Sequence, residues 1–251
     1  MNQAWVLGQR ALREAWRTPD ALLPTLFIPL FFLVVNVGQA AEIFPSASTG
    51  FLNGQGYGAF QLPSSLLLAA SFGTAALFLV EEIEGGYFDE LRAAPVPRTA
   101  IISGRLMAEG VKGVFIAAAI ILLGLIFGIQ IASGVLGFFL LVAISALWAV
   151  VFTGYMQLIA IKTRSAAATN SGGLIFFPLL FLTPNFVPRD QLTRPMEIAA
   201  SINPVTYVME AMRSFILEDL HWAKIWPGFL VVAVLGVLVL ALNVRVINHY
   251  D

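Results

Sequence analysis

The chain has 251 residues, of which 59% are hydrophobic and only 12% charged, with 20 phenylalanines and no cysteine. That is more apolar surface than a soluble domain of this length buries, so the chain reads as an integral membrane protein. The missing thiols exclude a disulfide framework and a thiolate metal site. A formal net charge of −1 says nothing about nucleic acid, and none is expected as a partner; in a membrane chain the information lies in where the bases fall.

Residues 1–20 put Arg10, Arg13 and Arg17 on one helical stripe and Trp5, Leu12 and Trp16 on another. This is the pattern of an interfacial helix, or of a solvated basic leader that merely orients the first span. Residues 22–38 read as that span, with Pro24 and Pro29 inside it. Gly38-Gln39-Ala40 has the outline of a signal cleavage site, but the apolar run is long for a signal peptide. The loop 39–61 lacks Lys and Arg and reads as outside. Its Gly54-x-Gly56-x-Gly58 lacks the strand and helix of a phosphate loop.

Residues 62–80 read as the second span and 111–131 as the third, with Gly124-x-x-x-Gly128 offering a close helix approach. The fourth is 135–161, the fifth a short 172–187 broken by Pro178 and Pro184, and the sixth 225–244, marked by Trp222 and Trp226. Between the last two, in 188–224, Val205, Val208, Met209, Met212 and Ile216 share one helical face and Thr206, Glu210 and Arg213 another. That run is too short to span and predicts an outside re-entrant or interfacial helix. With the amino terminus inside, all of the 14 Lys and Arg except Arg189, Arg194, Arg213 and Lys224 fall on the inner side. Both termini and the charged island 81–105 are therefore expected in the cytoplasm.

The expected fold is all-α: one membrane domain over 1–251, with six transmembrane helices, an interfacial helix, the cytoplasmic loop 81–105 and the outside segment 188–224. No ionisable side chain is expected inside the spans, with Glu109 and Lys112 at the mouth of the third. Ion-coupled carriers need such groups at mid-membrane, which counts against a secondary carrier. No catalytic constellation for an intramembrane protease is visible, and His221 and His249 fall at opposite faces. None of Lys112, Lys162 and Lys224 follows a glycine, so no nucleotide-binding loop is encoded and energy has to come from another chain.

The island supplies a place for it. The run Glu82-Ile83-Glu84-Gly85-Gly86-Tyr87-Phe88-Asp89-Glu90-Leu91-Arg92-Ala93-Ala94-Pro95-Val96-Pro97-Arg98 resembles the cytoplasmic loop of type-2 ATP-binding-cassette (ABC) exporter permeases. That loop has an acid-x-acid-x-Gly start, a Leu-Arg step and Pro-Val-x-Arg before the third span. Ile83 and Gly85 stand where many relatives carry bases. A second stretch, from Phe177-Pro178 through Thr183-Pro184-Asn185-Phe186-Val187-Pro188 to Asn203-Pro204-Val205-Thr206-Tyr207 and Glu210-Ala211-Met212-Arg213, resembles the fifth span and outside hairpin of the same family. The likeness is nearest to the drug-exporting, daunorubicin-resistance-like branch.

The resemblance implies a coupling helix seated on an ATPase, with Glu82, Glu84, Gly86, Phe88, Asp89, Leu91, Arg92, Pro95 and Arg98 at the contact and Phe88 with Leu91 filling an apolar notch. It further implies two permease chains, identical or homologous, over two ATPase subunits that hold ATP and Mg, in a bacterial-type plasma membrane. This chain itself then holds no cofactor and catalyses no reaction. Candidate pathway or re-entrant residues are Asn170, Ser171, Thr183, Pro184, Asn185, Asn203, Pro204, Glu210 and Arg213, with Asn36, Ser71 and Thr74 beside them. Each of the small polar residues is also accounted for as a helix–helix hydrogen bond. A non-transporting immunity or assembly factor on the same fold is the alternative.

Overall fold

A computed structural model describes residues 3–249, with the backbone alone at residues 19–21; Met1, Asn2, Tyr250 and Asp251, the ends of the expected leader and tail, lie outside the described residues. The elements are α1 (Gln3–Arg17), α2 (Pro19–Ala40), α3 (Tyr57–Ser71), α4 (Ala75–Glu84), α5 (Tyr87–Ala93), α6 (Arg98–Ile126), α7 (Gly134–Thr163), α8 (Ala166–Gly173), α9 (Phe176–Phe181), α10 (Arg194–Ile202), α11 (Pro204–Leu217) and α12 (Trp222–Asn248). Single 3-10 turns occupy Gly50–Leu52 and Arg189–Gln191, and no strand occurs among the described residues.

Among the described residues, five stretches are long and apolar enough to cross a membrane: Leu22–Ala40, Tyr57–Glu84, Arg98–Ile126, Gly134–Thr163 and Trp222–Asn248. The expected fifth span, 172–187, is instead a broken apolar pair, α8 and α9, followed by an irregular run. Its backbone explains the break. Pro178, Pro184 and Pro188 have no amide hydrogen to continue a helix, and Gly172-Gly173 weakens the one before them. The second span is divided at Phe72-Gly73-Thr74, between α3 and α4.

The third span begins at Arg98 rather than 111 and stops at Ile126, where Gly128 turns the chain at φ +86°. Of the Gly124-x-x-x-Gly128 pair only Gly124 meets a neighbouring helix, at Leu62 of α3, while Gly128 lies beyond the end of α6. A close approach exists elsewhere. A side chain at Gly8 of α1 would meet the Gly104 carbonyl at 3.0 Å, and one at Gly104 of α6 would meet the Ala4 carbonyl at 2.9 Å. Glycine lets α1 lie along α6 there, while Trp16 sits edge-on to Phe115, 5.7 Å away.

This longer α6 corrects the expectation about charge. Glu109 and Lys112 lie well inside it, 4% and 2% exposed, and pair at 2.7 Å. They lie within the helix, about eleven residues from its start, and not ahead of it. The two charges neutralise one another inside the protein. A second correction concerns α11. Its apolar face is buried as expected, but Thr206 and Arg213 on the other face are buried too, so this helix is inside the protein and not laid on the interface.

The core has two parts. The larger gathers α3, in which every residue from Ala59 to Ser71 is buried, with the buried sides of α6, α7, α9, α11 and α12. The smaller joins Leu79, Val80, Phe88, Ile101, Ile102, Leu106, Ala160, Ile161 and Ile247. It fixes α5 beneath α4, α6, α7 and α12.

Candidate functional site

The island folds as α4, a glycine turn, α5 and an extended Ala94–Pro97 leading into α6. Gly86 adopts φ +80°, a left-handed value that glycine takes without strain, and this reverses the chain between α4 and α5. Phe88 is 0% exposed within the smaller core, and Leu91 packs partly buried against it. Glu82 is also buried; it pairs with Arg105 and lies 3.2 Å from Arg10. The Arg10 guanidinium in turn covers the Tyr87 ring at 4.0 Å. Arg92 pairs with Asp89 at 3.0 Å. Arg98 donates to the carbonyls of Ile247 and Asn248 at 3.2 and 3.0 Å, capping the end of α12.

The expected contact set is therefore split. Glu84, Gly86, Asp89 and Pro95 are exposed, together with Glu90. Phe88 and Glu82 are turned inward, so the expectation that Phe88 fills a partner's notch is corrected. Water and protein compete for an aromatic ring on a seven-residue helix, and here the chain's own core takes it.

Above the island, α2, the α3–α4 break, α7, α8 and α9 enclose a cavity of about 420 Å³. Leu68, Phe72, Leu77, Leu174, Phe176 and Phe177 form its apolar wall. Ser71, Thr74, Asn170 and Ser171 are the main polar groups on it, so four of the expected pathway residues do come together. Ser71 is committed within the protein, donating to the Leu67 carbonyl at 2.8 Å and accepting from the Trp148 indole at 3.0 Å. Thr74 accepts from the Lys112 ammonium at 3.1 Å.

The remaining candidates belong to a clamp further along α3. Arg213 Nε donates to the Phe60 carbonyl at 3.1 Å, Nη1 to that of Pro184 at 2.5 Å and Nη2 to that of Asn185 at 3.1 Å. Its plane covers the Phe60 ring at 3.5 Å. Gln61 reaches the Asn185 carbonyl at 2.9 Å, Ser64 the Asn185 side chain at 2.6 Å and Tyr57 the Phe186 carbonyl at 2.8 Å. Burial pulls the Arg213 pKa down, with Glu210 opposing; burial also raises that of Glu210, with Arg189 opposing. Arg189 holds Glu210 through two bonds of 3.0 and 2.9 Å.

Thr183 is tied to the Leu180 carbonyl, and Asn36 reaches only Gln61, at 3.4 Å. Asn203 caps α11, accepting from Val205 N at 3.0 Å and donating to the Leu179 carbonyl at 2.6 Å, and Pro204 opens that helix. These residues hold the hairpin together and do not line the 420 Å³ cavity. Pro184, Glu210 and Arg213 border a second, more polar cavity of about 660 Å³ with Arg189 and Glu218.

Reading the sequence missed Tyr57, Gln61 and Ser64, and it named Arg10, Glu109 and Lys112 without their partners. Of these contacts, only the Glu109–Lys112 pair left a visible signal, opposite charges three residues apart at the edge of an apolar run.

Residues 2–217 match the family model for ABC-2 type transporters. Over 234 residues the chain is 25% identical to the daunorubicin resistance ABC transporter permease protein DrrB1 of Streptomyces coeruleorubidus, covering 90% of this chain and 77% of that protein. The ycf38 proteins of Porphyra purpurea and Pyropia yezoensis, named as transport permeases, are each 26% identical. The first alignment covers 86% of this chain and 74% of that protein, and the second 85% and 73%. With one family match running from α1 to the end of α11, across the island, the cavity and the clamp, this multi-pass membrane chain belongs to the ABC-2 type transporter family and is a transport permease.

Proposed function

We propose that the chain is the membrane-spanning subunit of an ATP-driven exporter that carries a hydrophobic or amphipathic molecule, drug-like or lipid-like, out of the cytoplasm or inner leaflet. Two permease chains, identical or homologous, work over two separate ATPase subunits that hold ATP and Mg2+, in a plasma membrane with both termini in the cytoplasm. The observation that carries this reading is the 420 Å³ cavity. Its size is that of small-molecule sites, about 300–1,000 Å³, and its lining is aliphatic and aromatic with a few uncharged polar groups and no charged side chain. The daunorubicin resistance named in its Streptomyces relative points to the same class of cargo.

The exposed acids Glu84, Asp89 and Glu90 give the ATPase a negative face to recognise, so its cleft should be basic. Co-expression with a candidate ATPase tests this. Glu84→Lys with Glu90→Lys should lower co-purification from detergent about tenfold or more and abolish cargo-stimulated ATP hydrolysis, while the permease stays folded. Undiminished association would overturn the docking face, and cargo movement without ATP would overturn the drive.

A further inference from the structure

The cavity wall contains one hydroxyl whose hydrogen-bond direction is fixed from behind. An ammonium group has donors and no acceptor, so in the 3.1 Å bond between Lys112 Nζ and Thr74 Oγ1 the threonine must accept. The Thr74 proton is left over, and among the described residues no acceptor of this chain takes it. The neighbouring hydroxyl differs, because Ser71 gives its proton to the Leu67 carbonyl.

Three further features hold Thr74 in this state. Lys112 is anchored by Glu109 at 2.7 Å, and both are almost fully buried. Gly73 is wedged against Thr153 and Glu109, leaving no room for a side chain, so the break that carries Thr74 is held in place. Thr74 itself is only partly buried and lines the cavity. A donor polarised by a buried cation forms a stronger bond than a free hydroxyl does. The lysine's charge is cancelled by Glu109, so an anionic cargo gains little.

We propose that Thr74 is the specificity-determining donor of this cavity, and that it selects cargo presenting an uncharged oxygen acceptor, a carbonyl or ether, on an otherwise apolar body. This rests on the cavity being the cargo site. Lys112 and Glu109 act through Thr74 and position it.

The test uses the full chain in lipid nanodiscs with two fluorescent probes, each corrected against empty discs. Nile red is uncharged and carries a carbonyl whose acceptance of a hydrogen bond moves its emission to longer wavelength; diphenylhexatriene is of similar character without an acceptor. Both should bind the wild type saturably. Thr74→Val, which keeps the shape and loses the hydroxyl, should weaken Nile red about tenfold and shift the emission of the bound dye to shorter wavelength. Diphenylhexatriene affinity should be unchanged. Glu109→Gln with Lys112→Gln should give an intermediate emission shift. Unaltered Nile red affinity and emission in Thr74→Val would overturn the proposal, as would an equal loss of both probes. If neither probe binds the wild type saturably, the cavity reading itself fails and this inference with it.

Discussion

Arg213 shows how much structure one side chain can organise. It is 7% exposed and spends all three guanidinium nitrogens on carbonyls of two separate segments, Phe60 on α3 and Pro184 with Asn185 after α9. Lysine cannot reproduce that planar fork. Arg213→Lys should therefore lose at least one of these bonds, at about 1–3 kcal/mol where a carbonyl is left unpartnered, and Arg213→Met all three, although the Asn185 carbonyl keeps Gln61. Thermal unfolding in detergent should rank wild type above Lys and Lys above Met; a Met variant as stable as wild type would show that the clamp is not held by this residue.

The same logic governs which residues were legible. Arg213 and Asn185 were visible as polar groups in an apolar hairpin, but not as partners, because backbone carbonyls leave no mark in a sequence. Phe88 was visible as an anchor with the wrong partner assigned. A short amphipathic helix shows that an apolar face exists and not which surface covers it.

At the level of elements, the seam between α1 and α6 is the clearest case of a contact made by absent atoms. Gly104→Leu puts a side chain where the Ala4 carbonyl and Leu7 now lie, within about 3 Å, and overpacking of this kind costs about 1–3 kcal/mol. The expected result is that α1 lifts from α6, opening the salt link of Arg10 to Glu82. Trypsin should then cut after Arg10 and Arg13 several-fold faster than in wild type. Unchanged cleavage would mean that α1 is held by its tryptophans alone.

Helix interiors were legible here because apolar runs of about 20 residues admit few readings, and α7 and α12 match the expected spans closely. The ends were not. Residues 98–110 carry Arg98, Arg105 and Glu109 and read as loop, yet those charges are satisfied by the α12 terminus, Glu82 and Lys112. Tertiary pairing overrode composition, and the charged pair moved from the mouth of a helix to its interior.

For the whole molecule, orientation is the property most open to a direct check, since the chain has no cysteine and any introduced thiol is unique. Ser48 in the α2–α3 loop and Lys162 at the end of α7 are both exposed. In intact cells Ser48→Cys should react with a membrane-impermeant maleimide and Lys162→Cys only after permeabilisation. The opposite pattern would invert the assignment of inside and outside that places the island beside an ATPase.

The break at Phe72-Gly73-Thr74 gives this architecture a lever. One arm, α3, is locked to the hairpin through Arg213, Gln61, Ser64 and Tyr57; the other, α4, ends at Glu84 and the exposed acids. At about 1.5 Å per residue, Glu84 lies about 16 Å beyond Gly73 along the helix. With Gly73 wedged against Thr153 and Glu109, that arm is braced at its inner end, where Thr74 meets the cavity wall. A push on the acidic end therefore travels along a short braced rod to the cavity wall and is not absorbed in a loop.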